Sequence, residues 1–272
     1  MTLRKIMKKT LLGLAGLSLL IAQNLYAAPL RVAADAVPHA EILEYVKTLD
    51  PKLDLKIVEL SGGINANELL ASGDVDANYF QHLPYLKDQE KALGKTFDVV
   101  ASVHIEPLGI YSRKVKSLDA LPEGATIAVP NNTTNLSRAL WLLQDKGVLR
   151  LNASGEAGTT LVTPKDISEN PKKIKIVEIE SPQLPRSLDD VDAAIINGNY
   201  ALEAGLSPAK DALGLESAKH NPYANLLVTT PQLAKDPRVI ELAKDLTSPQ
   251  VADFIRKNYN GSVIPVADAA HD

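Results

Sequence analysis

From Leu30 onward short apolar runs alternate with amphipathic stretches, and that alternation restricts the chain to a layered α/β fold. Leu30 to Ala34, Leu53 to Leu60, Val75 to Phe80 and Phe97 to Val103 have the length and branched content of buried strands. Between them, His39 to Leu49, Ala66 to Ala71 and Leu83 to Leu93 carry helical spacing. The pattern predicts βαβ units with helices on both faces of a sheet.

The rhythm then starts again. A strand at Thr126 to Val129 leads through Asn131, Asn132, Thr133 and Thr134 into a helix running to Gln144, and Lys173 to Ile179 and Val191 to Ile196 are the next strands. One internal echo supports two related lobes: Asp74-Val75-Asp76-Ala77 precedes Asn78-Tyr79-Phe80, as Asp190-Val191-Asp192-Ala193 precedes Ala194-Ile195-Ile196. In each lobe the strand would exit at the carboxyl edge of the sheet, where open α/β sheets place their ligands. After Pro222 come a strand at Leu226 to Thr229 and helices at Arg238 to Leu246 and Pro249 to Tyr259. The expected division is residues 28–109 plus 230–272 in the first lobe and 110–229 in the second. Crossings near Ile105 to Ser112 and Tyr223 to Thr229 would act as a hinge for closure around a ligand.

Residues 1–27 read as an export signal: Arg4, Lys5, Lys8 and Lys9 precede an apolar run from Leu11 to Ala22 that is too short to span a bilayer, and Ala27 offers a cleavage site. Removing four basic residues from the 29 Lys and Arg leaves 25 against 33 Asp and Glu, a net charge of −8, which makes nucleic acid an unsuitable partner. The chain has no cysteine, which excludes disulfides, thiolate metal sites, a Cys nucleophile and thioether lipidation of a signal-sequence Cys. The expectation on this basis is a periplasmic protein, secreted by a cleaved signal peptide and without a lipid anchor.

No nucleophile elbow or phosphate-cradling glycine loop is present, and no carboxylate pair is singled out for acid–base work, so the reading is a binding protein and not an enzyme. The five histidines, His39, His82, His104, His220 and His271, show no i, i+4 metal spacing, and no metal or cofactor is expected. A metal-ion or other small-molecule receptor on the same fold stays as the alternative.

The most informative stretch is Pro130 to Arg138. A strand ending in Pro and a run of capping residues set a helix start that attracts an anion, and Arg138, one turn in, can clamp a carboxylate. With Asn135 beside it, this is the candidate carboxylate site. Phe80, His82 and Tyr85 follow the first Val-Asp-Ala strand and form an aromatic group at the presumed cleft edge, although such residues also serve as core filling. Asn197 and Asn225 interrupt apolar strands and need polar partners, from a ligand or from the protein itself.

Several segments together resemble the NlpA and MetQ family of methionine-binding receptors: Pro38 to Glu44, Asp76 to His82, Ile105 to Ser112, Pro130 to Arg138, Gln183 to Asp190 and Asn199 to Leu206. The resemblance implies a type II periplasmic-binding-protein fold and the substrate-binding component of an ABC importer. It also implies delivery of L- or D-methionine, or a methionyl peptide, to a permease and its ATPase, with the receptor working as a monomer. It assigns the ligand carboxylate to Arg138 and Asn135, the ligand's polar end to Asn197 and Asn225, and its side chain to Phe80, His82 and Tyr85. Gly63 stands where similar proteins often carry an aromatic residue, which implies a wider pocket.

Overall fold

The computed structural model describes residues 28–61 and 64–269. The expected signal segment and Gly63 lie outside these residues. In chain order the elements are β1 (Leu30–Ala34), α1 (Glu41–Leu49), β2 (Leu55–Glu59), α2 (Ala66–Ser72), β3 (Ala77–His82), α3 (Leu83–Leu93), β4 (Asp98–Ile105) and β5 (Gly109–Tyr111). They continue with β6 (Thr126–Pro130), α4 (Thr133–Asp145), β7 (Arg150–Leu151), β8 (Ile167–Glu169), β9 (Lys175–Ile179), α5 (Leu184–Ser187), β10 (Ala193–Ile196), α6 (Gly198–Glu203), α7 (Pro208–Asp211) and β11 (Gly214–Leu215). The last are β12 (Ala224–Thr229), α8 (Pro237–Leu246), α9 (Pro249–Tyr259), β13 (Ile264–Pro265) and α10 (Val266–Ala269).

The strands form two main sheets, one in each lobe. The first has the order β13-β4-β12-β3-β1-β2 and the second β11-β5-β10-β6-β9, while β7 and β8 make a separate small ribbon. In the first lobe β1 lies parallel between β2 and β3, and in the second β6 lies parallel between β9 and β10. Each sheet buries apolar side chains on both faces, as parallel sheets flanked by helices do. In the first lobe Val32 and Leu227 belong to one core and Ala33, Leu226 and Val228 to another, so neighbouring residues of a strand feed opposite faces. In the second, Ile127 and Ile195 face one core and Ala128 and Ile196 the other.

The helices follow from local chemistry. Helix α1 buries Ile42, Leu43 and Val46 on one stripe, and α4 buries Leu136, Ala139, Leu140 and Leu143 at the same helical spacing. Asn132 caps α4 by accepting from the Asn135 N–H, and Gly94 ends α3 with φ of +61°, a left-handed conformation that glycine adopts without steric cost.

The chain leaves the first sheet after β4 and enters the second at β5, so Glu106 to Leu108 form the outgoing crossing. It returns between β11 and β12, across residues 216–223. This return lies earlier than the expected boundary at 229. Leu226 to Thr229 pair with both β3 and β4 and belong to the first lobe, because an apolar strand with two flanking partners is buried in the middle of that sheet. Gly109, expected in the first lobe, is the first residue of β5 in the second.

Candidate ligand-binding cleft

Strand ends and helix starts from both lobes surround one cavity of about 370 Å³, at the lower end of the range for small-molecule sites. All seven residues singled out from the sequence, Phe80, His82, Tyr85, Asn135, Arg138, Asn197 and Asn225, are among its walls. The carboxyl ends of β3 and β10 deliver His82 and Asn197 to it, and the start of α4 delivers Asn135 and Arg138.

His82 serves the scaffold as well as the cleft. Its Nδ1 accepts from the Tyr85 N–H at 3.2 Å and caps α3, so Nε2 carries the proton and donates to Asn135 Oδ1 at 3.0 Å in the other lobe. Burial and the nearby Arg138 charge lower its pKa to about 3, so the ring stays neutral. Asn135 Oδ1 also accepts from Asn197 Nδ2 at 3.3 Å, while Asn197 Oδ1 is buried with no donor. Phe80 and Tyr85 meet edge to face, with centroids 6.0 Å apart, and supply the apolar part of the wall.

Arg138 is buried, and its charge is already matched. Its Nε donates to Glu216 Oε1 at 2.9 Å and its Nη2 to Glu216 Oε2 at 2.5 Å, with a further bond from Nη2 to the Glu106 carbonyl at 3.0 Å. Its guanidinium carbon also lies 4.1 Å from the centre of the Tyr223 ring. Two of its three nitrogens are therefore spent on holding the side chain in place. The sequence reading missed Glu216, which is 78 residues away and carries no local signal.

Glu106 lies on the outgoing crossing and is buried. Its Oε1 accepts from His104 Nε2 at 2.7 Å, and His39 Nε2, which bonds Asn225 Oδ1 at 2.9 Å, lies 3.1 Å from the same oxygen. The Tyr79 hydroxyl bonds His104 Nδ1 on the far side. Two of the histidines read as dispersed thus converge on one carboxylate, His104 hydrogen-bonded to it and His39 to Asn225 beside it. Burial above all lowers the pKa of His39 to about 4 and of His104 to about 3. Close packing holds this floor: a Cβ on Gly198, at the start of α6, would sit 2.8 Å from the Glu106 Cβ.

Further walls were not singled out from the sequence. Asp35 directly follows β1, and Gln81, Asn132, Glu180, Asn199, Tyr200 and Glu203 also face the cavity. Asp35 accepts from Asn199 Nδ2 at 3.0 Å, a contact between the lobes. Its position at the carboxyl edge of a parallel strand is the signal that could have found it.

Two sheets joined by two crossings, with a polar cavity between them, define a two-lobed substrate-binding protein of the periplasmic-binding-protein class. The model of the NlpA lipoprotein family matches residues 30–267, and the chain belongs to that family. It is 42% identical over 227 residues to the D-methionine-binding lipoprotein MetQ of Salmonella typhi, covering 83% of this chain and 82% of that protein. A nutrient-binding protein from Burkholderia cenocepacia, solved bound to methionine, superposes with a TM-score of 0.82 at 45% identity, over 87% of this chain and 99% of that one. An ABC-transporter periplasmic substrate-binding protein from Coxiella burnetii superposes with a TM-score of 0.81 at 41% identity, over 87% and 99% of the two chains. These findings overturn the expectation of a protein without a lipid anchor: the family and the Salmonella typhi relative are lipoproteins. That expectation rested on the absence of cysteine alone.

Proposed function

We propose that this protein is the substrate-binding component of an ABC importer and that its cleft closes on methionine, of either hand, or on a methionyl peptide. The observation that carries the reading is the convergence of seven residues, chosen from four separated parts of the sequence, on one cavity between the lobes. The relatives named above add the chemistry. Arg138, oriented by Glu216, and the start of α4 receive the ligand carboxylate, with Nη1 as the nitrogen left for it. Asn135, Asn197 and Asn225 hold the polar end, and Phe80 and Tyr85 enclose the thioether side chain, a contact that soft sulfur and aromatic edges favour.

The protein works by binding and release, not by turnover. Closure brings the two lobes together on the ligand, and the closed monomer docks on a permease whose ATPase drives transport. Calorimetric titration of protein unfolded and refolded to strip carried-over ligand tests the reading, with L-methionine, D-methionine and glycyl-methionine in parallel. Submicromolar binding of at least one is expected, and its loss by more than a hundredfold when Arg138→Met and Glu216→Gln remove both charges together. Absence of binding by all three would overturn the ligand assignment.

A further inference from the structure

The cavity has an unbalanced charge. Among the described residues four acids line it, Asp35, Glu106, Glu180 and Glu203, and the single cation is Arg138, which is paired with Glu216 behind it. Two of the four acids are occupied. Glu106 Oε1 accepts from His104 with His39 Nε2 3.1 Å away, and Glu180 accepts from Asn131 Nδ2 at 2.7 Å.

Asp35 differs from both. It stands at the start of a helical turn, where an aspartate ordinarily folds its carboxylate back onto free N–H groups. Here it makes no such cap and extends to Asn199 across the cleft, so its bonded partner is one neutral amide. Asn197, two residues before Asn199 at the same helix start, adds a buried carbonyl oxygen that has no donor. Two acceptors, a carboxyl group and an orphaned amide oxygen, thus serve the same cavity from opposite lobes. A buried acceptor without a donor is costly, and a ligand that brings donors and positive charge removes the cost.

We propose that Asp35 is the anchor for the ligand's ammonium group, with Asn197 Oδ1 as its second acceptor, and that it makes a free amino group a requirement for tight binding. The assignment rests on the reading of the cleft as an amino-acid receptor and fixes which end of the ligand lies at α6. It also couples binding to a proton. The groups facing Asp35 are Glu106 on the outgoing crossing, Glu203 and Tyr200 on α6, and Tyr85 on α3. Burial first, then the Glu106 and Glu203 charges, raise the Asp35 pKa to about 8. The empty cleft therefore keeps a proton there at neutral pH, and an arriving ammonium expels it. Affinity rises between pH 6 and pH 8, by at most about tenfold per unit, and binding releases protons to the buffer.

The test is calorimetry of wild type and Asp35→Asn with L-methionine and with its desamino analogue, which has hydrogen in place of the ammonium group. Wild type is expected to prefer methionine by about a hundredfold or more, and Asp35→Asn to lose most of that preference together with the pH dependence and the proton release. Thermal unfolding gives a second readout. The folded-state pKa of Asp35 lies above its unfolded value, so its burial costs stability progressively as pH rises from about 4 to about 8. Asp35→Asn is expected to melt higher than wild type at pH 7.5 and level with it at pH 4. Methionine bound by both proteins within threefold, with the same pH profile, overturns the ammonium assignment while leaving the receptor reading intact. Failure of wild type to bind any amine-bearing member of the panel overturns both.

Discussion

The two lobes repeat one construction at the near end of their sheets and diverge at the far end. In the first lobe, Asp76 N–H donates to the Arg31 carbonyl at 2.8 Å and its carboxylate accepts from the Arg31 N–H at 2.8 Å. In the second, Asp192 makes the same pair of bonds with Thr126, at 2.9 and 2.8 Å. The strands that follow run parallel in matching register, Ala77 opposite Val32 and Ala193 opposite Ile127. At their carboxyl ends the likeness stops. β3 arrives at His82, whose ring caps the next helix, and β10 arrives at Asn197, whose side chain does not cap its own. The duplicated part fixes register and the unmatched part carries the chemistry, so one scaffold presents two different walls to one ligand.

The lobes differ most in how they bury ionisable groups. The second holds a permanent cation, Arg138, and matches it with Glu216, whose side chain is 14% exposed. The first holds His39, His82 and His104 as neutral rings. Glu216→Ala leaves the buried guanidinium without its counter-ion and is expected to cost about 3–5 kcal/mol in denaturant unfolding, the largest effect predicted here. Adding Arg138→Met is expected to recover more than half of that loss. A single-variant cost below about 1 kcal/mol would mean that the second lobe does not depend on the pair.

The neutral rings predict a contrast in acid. A histidine whose folded-state pKa is depressed lets the unfolded chain take up protons first, so its stabilising contribution is whole above the unfolded value near 6.5 and falls as pH drops toward the folded value. His82→Asn gives the first lobe the residue that the second has at the corresponding strand end, and Asn is itself a good cap. Between pH 7.5 and pH 5 the variant is expected to lose about 2 kcal/mol less stability than wild type. Parallel pH profiles would show that His82 is solvated and titrates normally.

Much of this arrangement was legible in the sequence because it rests on local patterns. Leu83 to Leu93 and Pro249 to Tyr259 have the boundaries their apolar spacing implies, and Asn132 caps where a run of capping residues precedes an apolar stripe. The Val-Asp-Ala echo was readable as repetition, although the clasp that explains it needs Arg31 and Thr126, which lie 45 and 66 residues from their aspartates. Short elements such as β5, β11 and α6 escaped notice because two to six residues carry no periodicity to count. Glu216 and Asp35 escaped for a related reason: a carboxylate looks alike on a surface and in a cleft until the fold brings its partner to it.

The clasps themselves give the smallest expected effects and the finest comparison. Each offers a carboxylate to a backbone N–H, and a hydrogen bond to a charged group contributes about 1.5–3 kcal/mol. Asp192→Ala is therefore expected to cost about 2 kcal/mol. Both variants also break an ion pair, a loose one from Lys114 Nζ to Asp192 Oδ1 at 3.6 Å and a shorter one from Arg31 Nη2 to Asp76 Oδ1 at 2.8 Å, but the Arg31 side chain is 36% exposed and screening keeps the surplus of Asp76→Ala below about 1 kcal/mol. Burial alone would raise the Asp76 pKa, and the bonds from Arg31 outweigh it and hold the carboxyl below its ordinary value. The contribution of that charge is then whole above the unfolded value near 4 and is lost as pH falls through the folded one. The gap between wild type and Asp76→Ala should accordingly be constant from pH 7 to pH 5 and narrow below pH 4. If the two alanine variants cost the same at neutral pH, the Arg31 ion pair adds nothing beyond what the Lys114 pair gives Asp192, and the lobes share their clasp in energy as well as in geometry. If Asp76→Ala costs several kcal/mol more, the ion pair outweighs the backbone bonds, and the first lobe has departed from the duplicated scaffold even at its near end.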